Sequence, residues 1–165
     1  MSIATIAKKL FRPAAAQVRP MCADDVPYVL AVERASFPSA NAWGRRDFMR
    51  CFVLGDPHFG WIAEAAGQLI AFAVTENNRS IWIRNLAVLP EFRRRGVGRL
   101  MLESIKRAAL KFEHGTLRAI VRERNLSAQL FFSACGWRAV GISPRPYDDC
   151  DEDCIRFLRR IKTGH

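Results

Sequence analysis

Asn85-Leu86-Ala87-Val88-Leu89-Pro90-Glu91-Phe92-Arg93-Arg94-Arg95-Gly96-Val97-Gly98 is the stretch from which the rest of the chain can be placed. A strand ends, Pro90 breaks it, three arginines make a basic turn, and two glycines open a helix. Glycine lets backbone approach a ligand closely and reach dihedrals closed to other residues. The first amides of a helix have no intrahelical acceptor, point outward and carry partial positive charge. With Arg93, Arg94 and Arg95 beside them they make a cradle for a pyrophosphate. The cradle is not a P-loop, because the Gly-Lys-Ser/Thr ending is missing. It is not the dinucleotide fingerprint either, because Gly96-Val97-Gly98 lacks the third glycine. The plainer alternative is a helix start behind a solvated basic turn.

Working outward, apolar residues at Val97, Leu100, Met101, Ile105, Ala108 and Phe112 mark one face of a helix of about five turns over residues 96–114. Thr116 to Arg122 reads as a strand. Asn125 caps a helix that runs to Cys135 and stops at Gly136. Residues 137–142 and 154–161 read as closing strands. Upstream, residues 59–65 and 69–75 are strands joined at Ala66-Gly67, and Ser80 to Val88 completes a meander. Residues 17–21 read as a first strand. Helices follow over 23–37, ended by Pro38, and over 43–52. The order is βααβββαβαββ. Antiparallel strands lead into a strand-helix-strand crossover, so the class is α/β with a mixed, mostly antiparallel sheet of about seven strands and four helices.

The chain has 165 residues, 50% hydrophobic and 25% charged. That is about one domain, and it excludes a disordered chain, a collagen and a coiled coil. No linker or repeat divides it, so residues 16–165 read as a single domain behind a flexible extension over residues 1–15. Residues 1–23 hold four basic residues, Lys8, Lys9, Arg12 and Arg19, and no acid, a faint likeness to a transit peptide that Pro13 and the scarcity of serine oppose. The longest apolar run, Leu69 to Val74, is too short for a bilayer. Five cysteines at irregular spacing read as reduced thiols, and the expected location is cytoplasmic. Net charge is +10. Residues 79–147 hold 14 basic and 4 acidic residues and carry all of it. The remainder is neutral. Such clustering points to an anionic partner: a phosphate-bearing cofactor, a nucleic acid or a ribosome.

The motif Arg93-Arg94-Arg95-Gly96-Val97-Gly98 resembles the Arg/Gln-x-x-Gly-x-Gly/Ala phosphate signature of the GNAT family of acyl-CoA-dependent N-acetyltransferases. The likeness spans residues 17–160 and is similar to the RimI type, which acetylates ribosomal-protein amino termini. Leu69 to Thr75 resembles that group's third strand and Asn85 to Val88 its fourth. Glu33-Arg34-Ala35-Ser36-Phe37-Pro38 resembles its first-helix end, with the following Trp displaced to Trp43. Val121-Arg122, Asn125 and Gly136-Trp137 resemble its fifth strand and last helix.

The resemblance implies acetyl-CoA as co-substrate, lying where strands four and five splay apart. Its pyrophosphate would rest on amides of Arg94 to Arg99, and its pantetheine would pair with Leu86, Ala87 and Val88. An amide near Val88 would hold the thioester oxyanion. Asn125 and Phe132 fall at cofactor-contacting positions. A neutral amine would attack directly and thiolate would leave. Two departures stand out. Ile120 replaces the family's basic Glu, and Phe132, beside Phe131, replaces its acidic Tyr. Glu33, on the helix that faces the acceptor in the family, and Tyr147, matching a tyrosine of the acceptor loop, are the substitute catalytic candidates, with Glu123 a weaker one. For Glu33 the plainer reading is a solvated helix carboxylate. His58 reads as an exposed loop residue. The acidic run Asp148, Asp149, Asp151, Glu152 and Asp153 reads either as a solvated loop or as a holder of a cationic acceptor. No metal site is expected.

Three functions remain open at this point. The first is acetyl transfer to a primary amine, either a protein amino terminus or a small amine. The second is an acyl-CoA-binding homologue with weakened catalysis. The third is a ribosome- or nucleic-acid-binding module. Under the first reading the partners are acyl-CoA and the amine acceptor, with no membrane and no direct nucleic-acid contact, and the chain is a monomer or homodimer.

Overall fold

β1 (Gln17–Pro20) leads into α1 (Val26–Ser36) and α2 (Arg45–Met49). A meander of β2 (His58–Ala65), β3 (Gln68–Asn77) and β4 (Ile81–Val88) follows, then α3 (Val97–Lys111), β5 (Thr116–Arg122), α4 (Leu126–Ala134), β6 (Arg138–Ser143) and β7 (Cys154–Arg160). This computed structural model describes residues 16–38, 42–112, 114–144, 146 and 152–161. The extension read over residues 1–15, Tyr147, and Asp148, Asp149 and Asp151 of the acidic run lie outside the described residues. The strands are ordered β1-β2-β3-β4-β5-β7-β6. β4 and β5 are parallel, whereas β1/β2, β5/β7 and β6/β7 are antiparallel. The element order and the mixed sheet are those the sequence leads one to expect.

Local chemistry explains the turns. Ala66 and Gly67 have φ of +49° and +75°, the two left-handed residues that a tight hairpin needs to follow strand twist. Asn125 Oδ1 accepts the Ala128 amide at 3.0 Å and starts α4. α3 closes near four turns instead of five. Phe112 donates to both Ala108 and Ala109, and His114 to Ala109, so the last turn tightens and the helix stops at Lys111.

The chain divides into two compact units. One holds the residues up to Thr75 together with Asn85–Ile105, and the other holds Glu76–Arg84 and the residues from Lys106 onward. The first has a core of Val26, Val29, Val32, Phe48, Ile62, Phe72 and Val74. Phe48 meets Phe72 edge-on at 5.2 Å and Trp43 at 5.6 Å. Burying each such ring contributes about 2–3 kcal/mol, and the ring geometry adds to it. In the second unit Phe132 packs on Trp137 at 4.9 Å and stacks on Phe157 at 5.7 Å. Leu117, Ala119 and Val121 are buried with them.

Two polar clusters fix the rim of the first unit. His58 is not the exposed loop residue expected: it begins β2, is buried, and pairs through Nδ1 with Asp56. Asp56 also accepts the His58 amide, so a short turn ties the ring down. Arg19 grips Asp25 with two bonds of 2.8 Å and reaches Glu64 at 2.8 Å, while the Cys22 amide donates to Asp25 at 2.7 Å. The Arg19 guanidinium, helped by the Cys22 amide, holds the Asp25 carboxyl down to about 2. A depressed carboxylate stabilises the fold above its unfolded value near 4, and that contribution is lost as pH falls towards 2. Asp25→Asn should therefore melt lower at pH 6 and show a smaller loss between pH 4 and 2. Melting curves across that range are the check, and parallel pH slopes for both proteins would contradict this assignment.

Candidate active site

β4 turns Ile81, Ile83, Asn85 and Ala87 inward. A polar side chain on such a row must find a buried partner or pay its desolvation. The partner of Asn85 is Glu33 of α1, whose carboxylate oxygens lie 3.1 and 3.3 Å from Asn85 Nδ2. Glu33 Oε1 also accepts the Trp43 amide at 2.7 Å. Glu33 is 0% exposed, so it is not a solvated helix carboxylate. Burial pushes its carboxyl above the usual range, and the Trp43 amide and Asn85 side chain oppose that push. The carboxylate thus ties the end of α1, the segment at Trp43 and β4 into one cluster.

The other edge of β4 is defined by alternation. A three-residue connection makes β3 and β4 antiparallel, and the Leu89 amide donates to the Ile70 carbonyl at 2.9 Å. Residues at even spacing from Leu89 face β3. Leu86 and Val88 therefore present amide and carbonyl to the opposite edge. The Val88 carbonyl accepts Arg93 Nε at 2.9 Å there. A short turn, Pro90–Phe92, follows, anchored by the buried Phe92 ring, with the Arg95 guanidinium 6.0 Å above that ring. Arg93, though exposed, and Arg95 thus brace the turn.

Arg94 and Gly96 have φ of +60° and +82°. They turn the chain from the extended Arg93 towards the start of α3, and successive backbone amides in such a turn suit anions. Leu100 donates to Gly96 at 3.0 Å, the i−4 bond at which α3 begins. The amides of Val97 and Gly98 precede it, where an α-helix offers no i−4 carbonyl. The basic turn and glycines of the sequence motif are thus one continuous strand end, left-handed turn and helix start.

In the second unit Ile120 is half-buried on β5, between Arg118 and Arg122 and across from Arg156 of β7. No carboxylate takes its place on these strands, whose residues include no Asp or Glu. Phe132 is buried in the aromatic cluster, and Asn125 caps α4. Glu123 is exposed just past β5, and its amide donates to the Asp153 carbonyl at 3.0 Å. Glu152 Oε1 accepts the Arg124 amide at 2.6 Å, so the described end of the acidic run stitches the strand ends together. The pairing of Asn85 with Glu33 was not foreseen. An isolated Asn at an inward position of an alternating strand is the signal that could have found it.

Residues 26–137 match the profile of the Acetyltransferase (GNAT) family. The chain belongs to the GNAT family. It is an N-acetyltransferase, and acetyl-CoA is its co-substrate. It is 27% identical over 148 residues to a Bacillus subtilis (strain 168) protein named as a ribosomal protein bS18-alanine N-acetyltransferase, covering 85% of this chain and 92% of that one. Its fold is similar to the crystal structure of the Escherichia coli ribosomal-protein-S18-alanine N-acetyltransferase, with TM-score 0.77, 24% identity and coverage of 91% and 96%. A second structure of similar fold, from Bacillus anthracis str. Ames and named for a streptothricin acetyltransferase, was solved in complex with acetyl coenzyme A. It has TM-score 0.72 and 18% identity, with coverage of 88% and 99%. Among the described residues no helix is long and apolar enough to cross a membrane.

Proposed function

We propose that this enzyme acetylates the α-amine of a protein amino terminus in the cytoplasm. The relative from Bacillus subtilis, named for an alanine α-amine of ribosomal protein bS18, supports that acceptor class. The feature that carries the reading is Ile120, which the resemblance to the RimI type sets at the position of that group's carboxylate base and which lies across from Arg156 on β7. An enzyme without that base needs an acceptor already neutral. At pH 7.4 an α-amino group is roughly one quarter neutral, whereas a lysine side chain is neutral about once in a thousand.

In this reading the amides from Arg94 to Arg99 hold the pyrophosphate, with Arg93 and Arg95 keeping the turn in shape. The outward edge of Leu86 and Val88, with Ala87 between them, pairs with the pantetheine. The Val88 amide donates to the thioester oxygen. The amine nitrogen attacks the carbonyl carbon, and the oxyanion that forms draws on that amide. Collapse breaks the carbon–sulfur bond, and the thiolate takes the proton released by the nitrogen, directly or through water. Asn125 contributes by fixing the start of α4. Glu33 acts as a positioning residue through its hold on Trp43 and Asn85. Tyr147 stays a candidate for contact with the acceptor or the leaving sulfur.

The test is a thiol-release screen with acetyl-CoA over amino-terminal peptides, blocked lysine peptides and polyamines. Amino-terminal peptides should exceed lysine peptides by at least about tenfold in kcat/KM, a part of the ~250-fold difference in neutral fraction. Comparable rates on lysine peptides would defeat the proposal.

A further inference from the structure

β5, β6 and β7 hold six arginines and no acidic residue. Residues paired across strands share a face. The register pairs Trp82 with Arg118, Ile120 with Arg156, Arg122 with Cys154, and both Arg118 and Arg138 with Leu158. Arg160, paired with Thr116, falls on the same face. Five of the six arginines therefore point one way, around Ile120. The opposite face carries Leu117, Ala119, Val121 and Phe157, all buried. Only Arg159 lies on that side.

Two of these arginines are held in place. Arg118 lies 5.5 Å over the Trp82 ring, and its Nε donates to Ser80 Oγ at 3.2 Å. The Arg156 head lies across the β6 irregularity at Gly141. A Cβ at Gly141 would come within 2.7 Å of Arg156 Nη2, so the missing side chain makes room for the guanidinium. The acids nearest in sequence, Glu123, Glu152 and Asp153, sit at the strand ends, and Glu76 pairs with Arg84 on the flank. Among the described residues of the three strands, every charged side chain on this face is cationic.

We propose that this arginine face reads an acidic amino-terminal segment, so that the preferred acceptor is an α-amine followed by carboxylates. This deepens the proposed function and rests on it. Arg118 to Arg122 and Arg156 to Arg160 each span roughly 13 Å, which matches about four residues of an extended chain and exceeds a single amino acid. Carboxylates on that chain meet guanidinium forks that suit their geometry. A single-stranded nucleic acid is the weaker fit. Such binding relies on exposed aromatic rings for stacking. On this face the aromatic is Trp82, which Arg118 covers, and Phe157 is buried behind the sheet.

The test separates binding from transfer. Titrate the full chain with two amino-terminally acetylated peptides of equal length, one acidic and one basic at positions two to five, at low and high salt. In parallel, measure acetyl transfer to their free-amine forms. The acidic peptide should bind at least ~tenfold tighter at low salt and lose that preference at high salt. In the doubly substituted Arg118→Gln/Arg156→Gln chain, the ratio of acidic to basic affinity should fall towards one. Gly141→Ala, which displaces the Arg156 head, should lower the ratio in the same direction. Melting curves establish that each variant folds. Equal binding of the two peptides, or preference for the basic one, overturns the inference whatever the transfer assay gives. An RNA oligonucleotide that displaces the acidic peptide at lower concentration also overturns it. Acidic-peptide binding without α-amine acetylation keeps this surface and defeats the proposed function instead.

Discussion

Gly98→Leu should remove measurable acetyl-CoA binding, by more than about a hundredfold, while leaving the chain folded. Gly98 lies in the first turn of α3, just past the left-handed turn of Arg94 and Gly96. An approaching pyrophosphate needs the space that a leucine side chain would occupy. Stability moves the other way, because replacing glycine within a helix contributes up to ~1 kcal/mol to folding. A variant that melts no lower yet fails to bind cannot be explained by unfolding. Ligand linkage gives a second readout. At about a hundred times its dissociation constant, acetyl-CoA should add roughly 2.7 kcal/mol to the native enzyme and nothing to the variant. Calorimetric titration with CoA decides the matter, and unchanged affinity in Gly98→Leu would falsify the cradle.

The second large effect is on stability, at Glu33. Glu33→Ala leaves the Trp43 amide and the Asn85 side chain without their buried acceptor and opens a cavity. Each unpaired group costs about 1–3 kcal/mol, and the cavity adds to that, so a loss of about 3–5 kcal/mol is expected. Glu33→Gln keeps the volume and should lose less. It should also change the pH dependence. A carboxyl raised above its unfolded value binds more protons in the native state. Its contribution is then greatest at low pH and is lost as pH rises through the native value. The wild-type chain should weaken from the ordinary glutamate value of about 4.3 upward, and Glu33→Gln should lack that slope. Denaturant unfolding at several pH values is the measurement. An Ala variant as stable as wild type would show that the cluster holds nothing together. If Glu33 were instead a proton acceptor for the amine, Glu33→Gln would lose kcat with little change in stability.

The fold was legible wherever one residue type fixes local geometry. Ala66-Gly67 gave the hairpin because both residues take positive φ. Asn125 gave the start of α4 because its side chain accepts an amide three residues on. The turn between β4 and α3 was legible because strand end, turn and helix start are contiguous in sequence. What lay hidden depends on pairing across the chain. Glu33 reads as a surface carboxylate until Asn85, 52 residues away, is set against it. His58 reads as a loop residue until Asp56 turns its ring inward. In the sequence alone Arg118 and Arg122 are alternate basic residues that read as solvent or acceptor contacts. Only the register of β5, β7 and β6 puts five arginines of these strands on one face.

The central claim is that a neutral α-amine, not a side chain with an enzymic base, attacks acetyl-CoA. One peptide with a free amino terminus followed by acidic residues, and one internal lysine, tests it directly. After incubation with enzyme and acetyl-CoA, the acetylated position is mapped by mass spectrometry. The account predicts acetylation at the amino terminus, with the lysine almost untouched. Predominant lysine acetylation would contradict it, because that product requires a strong base that Ile120 does not provide.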